Sequence, residues 1–223
     1  MEGAPDFLAL LGPEDRAALD GAAMRREYPR GSIILSLGDD PGTVLVLLEG
    51  RVKIAAAGAE GRDAVLAFRG PGDLVGELGA IDGRRRSASV SALERVVALA
   101  LAGSDFERLM NSRPGIGVAL LRVLASRLRS ANVDLAAFGA HDVTGRVALR
   151  LVELCDRYGT SGDRGVAITL PLTQEELAGW TGASREAVSK ALAALRGLGW
   201  VEIHRRELVV TNIDALRTYT GER

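Results

Sequence analysis

Reactive and metal-binding side chains are scarce in this chain: one cysteine, Cys155, and two histidines, His141 and His204, in 223 residues. A lone thiol excludes internal disulfides and cannot carry an iron–sulfur cluster. Metal oxygenases on small β-barrels need clustered His and carboxylate ligands, and both histidines lie outside the strand-rich first half. Haem ligation by a histidine or cysteine in that half is excluded for the same reason. No Ser-His-Asp, Walker or GxGxxG pattern appears, so the reading is of a non-enzyme without metal, haem or iron–sulfur cofactor. No apolar run approaches the length of a membrane span. The opening MEGAPDFLAL lacks the basic n-region of a signal peptide, which points to a cytoplasmic protein with no membrane partner. An excess of either charge sign is missing too: 28 Lys and Arg stand against 29 Asp and Glu. Divided after Asp142, the two parts carry −2 and +1. Any contact with nucleic acid must therefore come from local placement of charge rather than from a bulk basic field.

What is present is the makeup of a globular protein, 47% hydrophobic and 26% charged, long enough for one large domain or two small ones. Residues 6–28 read as short helices, with Pro13 at a first helical position and Ala17, Leu19, Ala22 and Ala23 as an apolar stripe. From Gly31 the pattern changes to short apolar runs broken by Gly, Asp and Pro. Strands at 32–37, 43–48, 51–56 and 64–68, with two more near 86–92 and 95–101, fit an antiparallel barrel or jelly roll. In the first of the last two, Ser87, Ser89 and Ser91 alternate with Ala88, Val90 and Ala92. Ser104 and Glu107 have the spacing of a capping box opening another short helix.

Pro114 then begins the longest helical stretch. Leu121, Leu124, Leu128, Ala131, Leu135 and Phe138 step alternately by three and four, a heptad seam narrower than a globular core usually needs. It reads as a dimerisation helix, with packing on the chain's own barrel as the alternative. GAHDVTGR ends it, Asp142 can cap a helix over 143–158, and Gly159 closes that helix. GTSGDRG follows as a loop, and a strand is expected at 166–170. The domain reading is 1–112, 113–140 and 141–223.

The segment LTQEELAGWTGASREAVSKALAALRGLGW carries the most information. Thr173 and Glu176 make a capping box for a helix from Gln174 to about Trp180. Gly182 permits a tight turn, and Ser184 can cap a second helix ending at Gly197 or Gly199. Two helices so joined form a helix-turn-helix. The second presents Arg185, Glu186, Ser189 and Lys190 in its first two turns, where a helix entering the major groove needs polar side chains. Arg and Lys suit the guanine O6/N7 edge, and Glu accepts from the cytosine amino group. Ala187, Val188, Ala191, Leu192 and Leu195 would face inward. WVEIHRRELVVTN reads as a hairpin, strands 200–204 and 207–211, tipped by Arg205 and Arg206. An ordinary helical hairpin with solvated charges is the alternative.

A second stretch, GELGAIDGRRRSAS, crowds three arginines behind a glutamate and two glycines. Gly76 to Gly79 lets backbone amides approach an anion, while Arg86 and Ser87 add charge and a hydroxyl. Glu77 suits a ribose hydroxyl. Donors for phosphate beside an acceptor for hydroxyls describe a nucleotide. Arg84 and Arg85 read as solvated turn residues.

Taken together and in order, GELG with RRSAS, DVTGRVA at the junction and LTQEELAGWTGASREAVSKAL resemble the CRP/FNR family of bacterial transcription regulators, over residues 8–216. The resemblance implies an α+β fold: an N-terminal β-roll binding a cyclic nucleotide, a long dimerisation helix and a C-terminal winged helix-turn-helix. It implies cyclic AMP as an allosteric ligand, held by Gly76, Glu77, Leu78, Gly79, Arg86 and Ser87. In the best-studied member, adjacent hydroxyl residues on the long helix hold the base, one from each subunit. Here those positions are Ala131 and Asn132, which leaves another purine open. The implied DNA contacts are Thr173 and Ser184 to phosphate, with Gln174, Ser189 and Arg205 nearby. Arg185, Glu186 and Lys190 would read bases; Lys190 stands where that member has a second arginine, so bidentate geometry is lost. The implied partners are palindromic promoter DNA, RNA polymerase and a second copy of the chain. A regulator of the same architecture that binds DNA constitutively stays open.

Overall fold

The computed structural model describes residues 6–58, 63–204 and 207–221. The chain divides into two compact units at Arg129/Ser130.

Among the described residues, the first unit opens with a 3-10 turn at Leu8–Leu10 and helix α1 (Pro13–Ala22), then carries eight strands. These are β1 (Met24–Tyr28), β2 (Ile33–Leu35), β3 (Thr43–Glu49), β4 (Val52–Ala57), β5 (Asp63–Arg69), β6 (Leu74–Val75), β7 (Ser89–Ala92) and β8 (Val96–Ala102). Helix α2 (Glu77–Asp82) interrupts them, and α3 (Gly103–Ser112) and α4 (Pro114–Ala140) follow. The strands form two antiparallel sheets, in the orders β1-β8-β3-β6 and β2-β7-β4-β5. The first sheet is covered on both faces. In β3, Val44 and Val46 pack with Phe7, Leu19, Phe106, Ile116 and Leu120 from the helices, whereas Leu45 and Leu47 join Val52, Val90 and Ala92 of the second sheet. Burial on both sides explains why β3 and β8 read as unbroken apolar runs, while β7 alternates between half-buried serines and buried Val90 and Ala92.

Two local expectations fail here. Residues 24–28 are a strand, not the end of a helix, and pair with β8 from Met24 opposite Ala100 to Tyr28 opposite Val96. MRREY has no helical or alternating period of its own; its apolar partner across the sheet decides its conformation. Ser104 forms no cap. Helix α3 starts two residues sooner than that cap implies, at Gly103 after Ala102 and without a side-chain cap; the Gly103 N–H is bonded to the Gly42 carbonyl at 3.1 Å.

Helix α4 buries Ile116, Ala119, Leu120 and Val123. The expected seam lies on a neighbouring face, where Leu121, Leu128 and Leu135 are 67%, 64% and 74% exposed in the single chain. Phe138, at the end of that seam, is 46% exposed. Its ring lies 5.2 Å from the Arg146 guanidinium carbon and beside Gly182, where a Cβ would come within 2.7 Å of it. The flat guanidinium attracts the ring face, and glycine leaves room for its edge.

The second unit adds α5 (Val143–Tyr158), β9 (Gly159–Gly162), β10 (Gly165–Ile168), α6 (Gln174–Thr181), α7 (Arg185–Gly197), β11 (Val201–Ile203), β12 (Leu208–Val210) and α8 (Ile213–Thr220). Its sheet runs β11-β12-β10-β9. Asp142 caps α5 by accepting from the Gly145 N–H at 2.8 Å. The stretch expected as the loop GTSGDRG instead forms β9 and the turn into β10. Its Gly and Ser give no apolar signal, since the pairing uses main-chain bonds alone.

Candidate functional site

In the first unit, β6 ends at Val75 and the chain turns into α2 through Gly76, at φ +82°. This turn needs glycine twice: for the left-handed backbone, and because a Cβ would meet the Arg86 guanidinium and the Thr43 carbonyl, each at 2.8 Å. The turn and the entry to β7 frame a cavity. Gly76, Glu77, Leu78, Gly79, Arg86 and Ser87 all line it, with Leu35, Ile54, Val75 and Val90 as its apolar wall. The structure therefore brings six of the eight candidate ligand residues to one place. Ala131 and Asn132 are exposed on α4 and do not line this cavity.

Two of the six are buried charges. Arg86 donates to the Gly76 carbonyl at 2.6 Å and to the Thr43 carbonyl at 2.5 Å. Its burial pushes the guanidinium below its ordinary pKa, against the opposing pull of Glu77 and Asp39; it stays charged. Glu77 pairs with Arg127 at 2.8 Å. Ser87 and Leu78 are exposed at the mouth. Arg84 and Arg85 are exposed as expected and look away to Asp82 and to Asp40 with the Gly38 carbonyl.

Arg127 is the pocket residue that the sequence reading missed. It lines the cavity, and its second nitrogen donates to the Leu74 carbonyl at 2.8 Å, with Asp73 at 3.7 Å. A signal was there to be used: Ile116, Leu120, Val123 and Arg127 are spaced four, three and four apart on the buried face of α4. A cation at the end of such a stripe implies a buried anion to meet it. The cavity thus offers a carboxylate already oriented by a cation, a desolvated guanidinium with N–H groups beyond those used on carbonyls, a hydroxyl and close backbone. That set can hold an anion and a vicinal hydroxyl together.

In the second unit, the capping box is formed. Thr173 Oγ1 accepts from the Glu176 N–H at 3.1 Å, and the Glu176 carboxylate accepts from the Thr173 N–H at 2.9 Å. The Thr173 hydroxyl donates to the same carboxylate at 2.9 Å, so its proton is already in use. Gly182 makes the turn at φ +61°, and Ser184 caps α7 by accepting from the Ala187 N–H at 3.2 Å. Val188, Ala191, Leu192 and Leu195 of α7 are buried. Arg185, Glu186, Ser189 and Lys190 are exposed together on the opposite side, with Gln174 exposed at the start of α6. Arg205 lies outside the described residues. Between β10 and the β11–β12 pair, Arg164 reaches Glu207 at 2.9 Å and Glu202 at 3.3 Å, and His204 meets Glu202 at 3.2 Å. Among the described residues, no helix is long and apolar enough to cross a membrane.

Residues 25–113 match the family profile of the cyclic nucleotide-binding domain, and residues 145–219 that of the Crp-like helix-turn-helix domain. The chain is 35% identical over 204 residues to the CRP-like cAMP-activated global transcriptional regulator of Mycobacterium tuberculosis, covering 92% of this chain and 91% of that one. It is 34% identical to the cyclic AMP receptor protein of Thermus thermophilus, covering 91% and 90%. Among solved structures, it resembles the Thermus thermophilus catabolite activator protein (30% identity, TM-score 0.55, covering 98% and 100%). It shares its fold with FixK2 from Bradyrhizobium japonicum (23% identity, TM-score 0.78, covering 88% and 96%).

Proposed function

The chain belongs to the CRP/FNR family of bacterial transcription regulators, and from that membership we propose that cyclic AMP, bound in the cavity of the first unit, switches its hold on promoter DNA. A cyclic nucleotide-binding domain joined to a Crp-like helix-turn-helix is the makeup of a ligand-responsive, DNA-binding regulator.

The observation that carries the finer reading is the convergence of Glu77, Arg86 and Ser87 on one cavity around the Gly76 turn. Arg86 and Ser87 would hold the cyclic phosphate, and Glu77, steadied by Arg127, would accept from the ribose 2′-hydroxyl. The relatives named for cAMP support the choice of nucleotide. Asn132 of either subunit would offer an amide to the base, and Ala131 would offer nothing. The exposed Leu121, Leu128 and Leu135 would be covered by a second copy, since an apolar stripe of that length is costly to leave in water. Two such chains would set two α7 helices on a palindrome close to TGTGA-N6-TCACA, with Arg185, Glu186 and Lys190 on base edges. Contact with RNA polymerase would follow as it does for the family.

A second reading, DNA binding without ligand, draws on the same arginine: both carbonyl bonds of Arg86 are made by the chain itself. One experiment separates the two. Calorimetric titration with cyclic AMP and cyclic GMP, with and without the palindrome, should show cyclic AMP binding more tightly when DNA is present. Linkage requires DNA affinity to rise by the same factor. Arg86→Ala should weaken nucleotide binding by about 1.5–3 kcal/mol. Equal nucleotide affinities with and without DNA, beside strong DNA binding by ligand-free protein, would establish the constitutive reading instead.

A further inference from the structure

The second unit holds a small cavity of its own, and nothing in the cyclic-nucleotide or DNA reading uses it. Its walls come from the last two turns of α4, the middle of α5 and the end of α6. Trp180 forms the buried floor. The Phe138 ring and Val133, 46% and 40% exposed, stand at the sides with Ala137 and Leu149.

The charged groups around it are already committed. Arg150 donates to Asp134 and to Glu153, each at 2.8 Å. Arg146 donates to the Thr181 carbonyl at 2.9 Å and to the His141 carbonyl at 3.1 Å. The hydroxyl of buried Thr181 donates to the Leu177 carbonyl at 2.8 Å. Two cations and two carboxylates leave the lining neutral in sum, so neither an anion nor a cation gains by entering. What the walls do offer is flat surface. The Arg150 guanidinium lies 4.5 Å above the Trp180 ring, and Arg146 sits 5.2 Å from the Phe138 ring. Layers of guanidinium and arene can accept a further electron-rich ring by stacking and cation–π attraction.

We propose that this cavity is a binding site for a small, uncharged, electron-rich planar aromatic molecule of the phenol or indole class. Its walls include the end of α6, one turn from Gly182 and the start of α7, so occupancy acts on the helix-turn-helix directly and gives the regulator an input independent of the nucleotide.

The two tryptophans make the test clean, because Trp180 floors the cavity and Trp200 does not line it. Full-length protein with ¹⁵N label is titrated with 4-fluorophenol, and the two indole N–H resonances are followed after assignment with Trp200→Phe. The Trp180 resonance should shift saturably and Trp200 should stay still, with saturating cyclic AMP present or absent. Ala137→Phe, which fills the cavity, should weaken the probe by about tenfold or more. Leu149→Ala, which enlarges it, should leave the probe bound. No saturable shift of Trp180, equal shifts of both indoles, or displacement of the probe by cyclic AMP would each overturn the proposal. Closure of the cavity by a second copy of the chain would show as the first of these.

Discussion

The two functional regions handle charge in opposite ways. Around the first cavity, Glu77, Arg86 and Asp73 are buried and Arg127 nearly so, and their partners are in place within the chain: Glu77 with Arg127, Arg86 with two carbonyls. On α7, Arg185, Glu186, Ser189 and Lys190 stand in solvent, over a helix whose other side is wholly apolar. A buried charge must be satisfied before any ligand arrives, so the pocket's charges support the fold on their own account. An exposed charge stays hydrated and matters far less to the fold. Stability and binding should therefore respond in opposite proportion to substitutions in the two regions.

The sharpest way to break this contrast is Arg127→Ala. Removing one member of a mostly buried ion pair strands Glu77, and the first unit should lose about 3–5 kcal/mol, measured by urea unfolding. Arg127→Lys should recover part of this, keeping the charge but losing the fork that spans Glu77 and the Leu74 carbonyl. If Arg127→Ala unfolds like wild type, the pair is not stabilising and the contrast fails. Arg185→Ala tests the other side. It should cost about 1–3 kcal/mol of affinity for the palindrome and relax discrimination at one base position, with an unchanged unfolding midpoint. A loss that is equal on every sequence would make Arg185 a phosphate contact instead. The smallest effect belongs to a residue between the two classes. Thr173→Ala removes the capping box and should cost about 1 kcal/mol of stability in the second unit, while Thr173→Ser keeps it. Because the Thr173 hydroxyl proton is already given to Glu176, its removal should weaken DNA binding less than Arg185→Ala does.

Legibility from sequence followed the same division. Local rules found what is locally determined: Asp142, Thr173 and Ser184 are caps in the structure, and α7 turns its apolar side inward as its spacing requires. The apolar runs of β3 and β8 and the alternation of β7 were readable as strands, whereas which sheet is covered on both faces emerged only from the packing. Elements decided by distant partners were lost. MRREY became β1 through β8, GTSG became β9 through β10, and α3 began at Gly103, bonded to Gly42, rather than at a Ser104 cap. Within the pocket, the glycines, Glu77, Arg86 and Ser87 were readable because they are contiguous. Arg127, 50 residues further along the chain from Glu77, was not, because periodicity shows a face and never the residue opposite it.

The doubly covered sheet also decides where the first cavity can give way. β3 and β8 are clamped between the helices and the second sheet, so any displacement of them disturbs two cores at once. β2, β4 and β7 contribute Leu35, Ile54 and Val90 to the cavity and meet solvent on their other face. Elastic compliance is thus concentrated in one wall. A guest slightly larger than the space should bow that outer sheet outward and leave the inner one unmoved, so the pocket tolerates differences of size on one side and of almost nothing on the other.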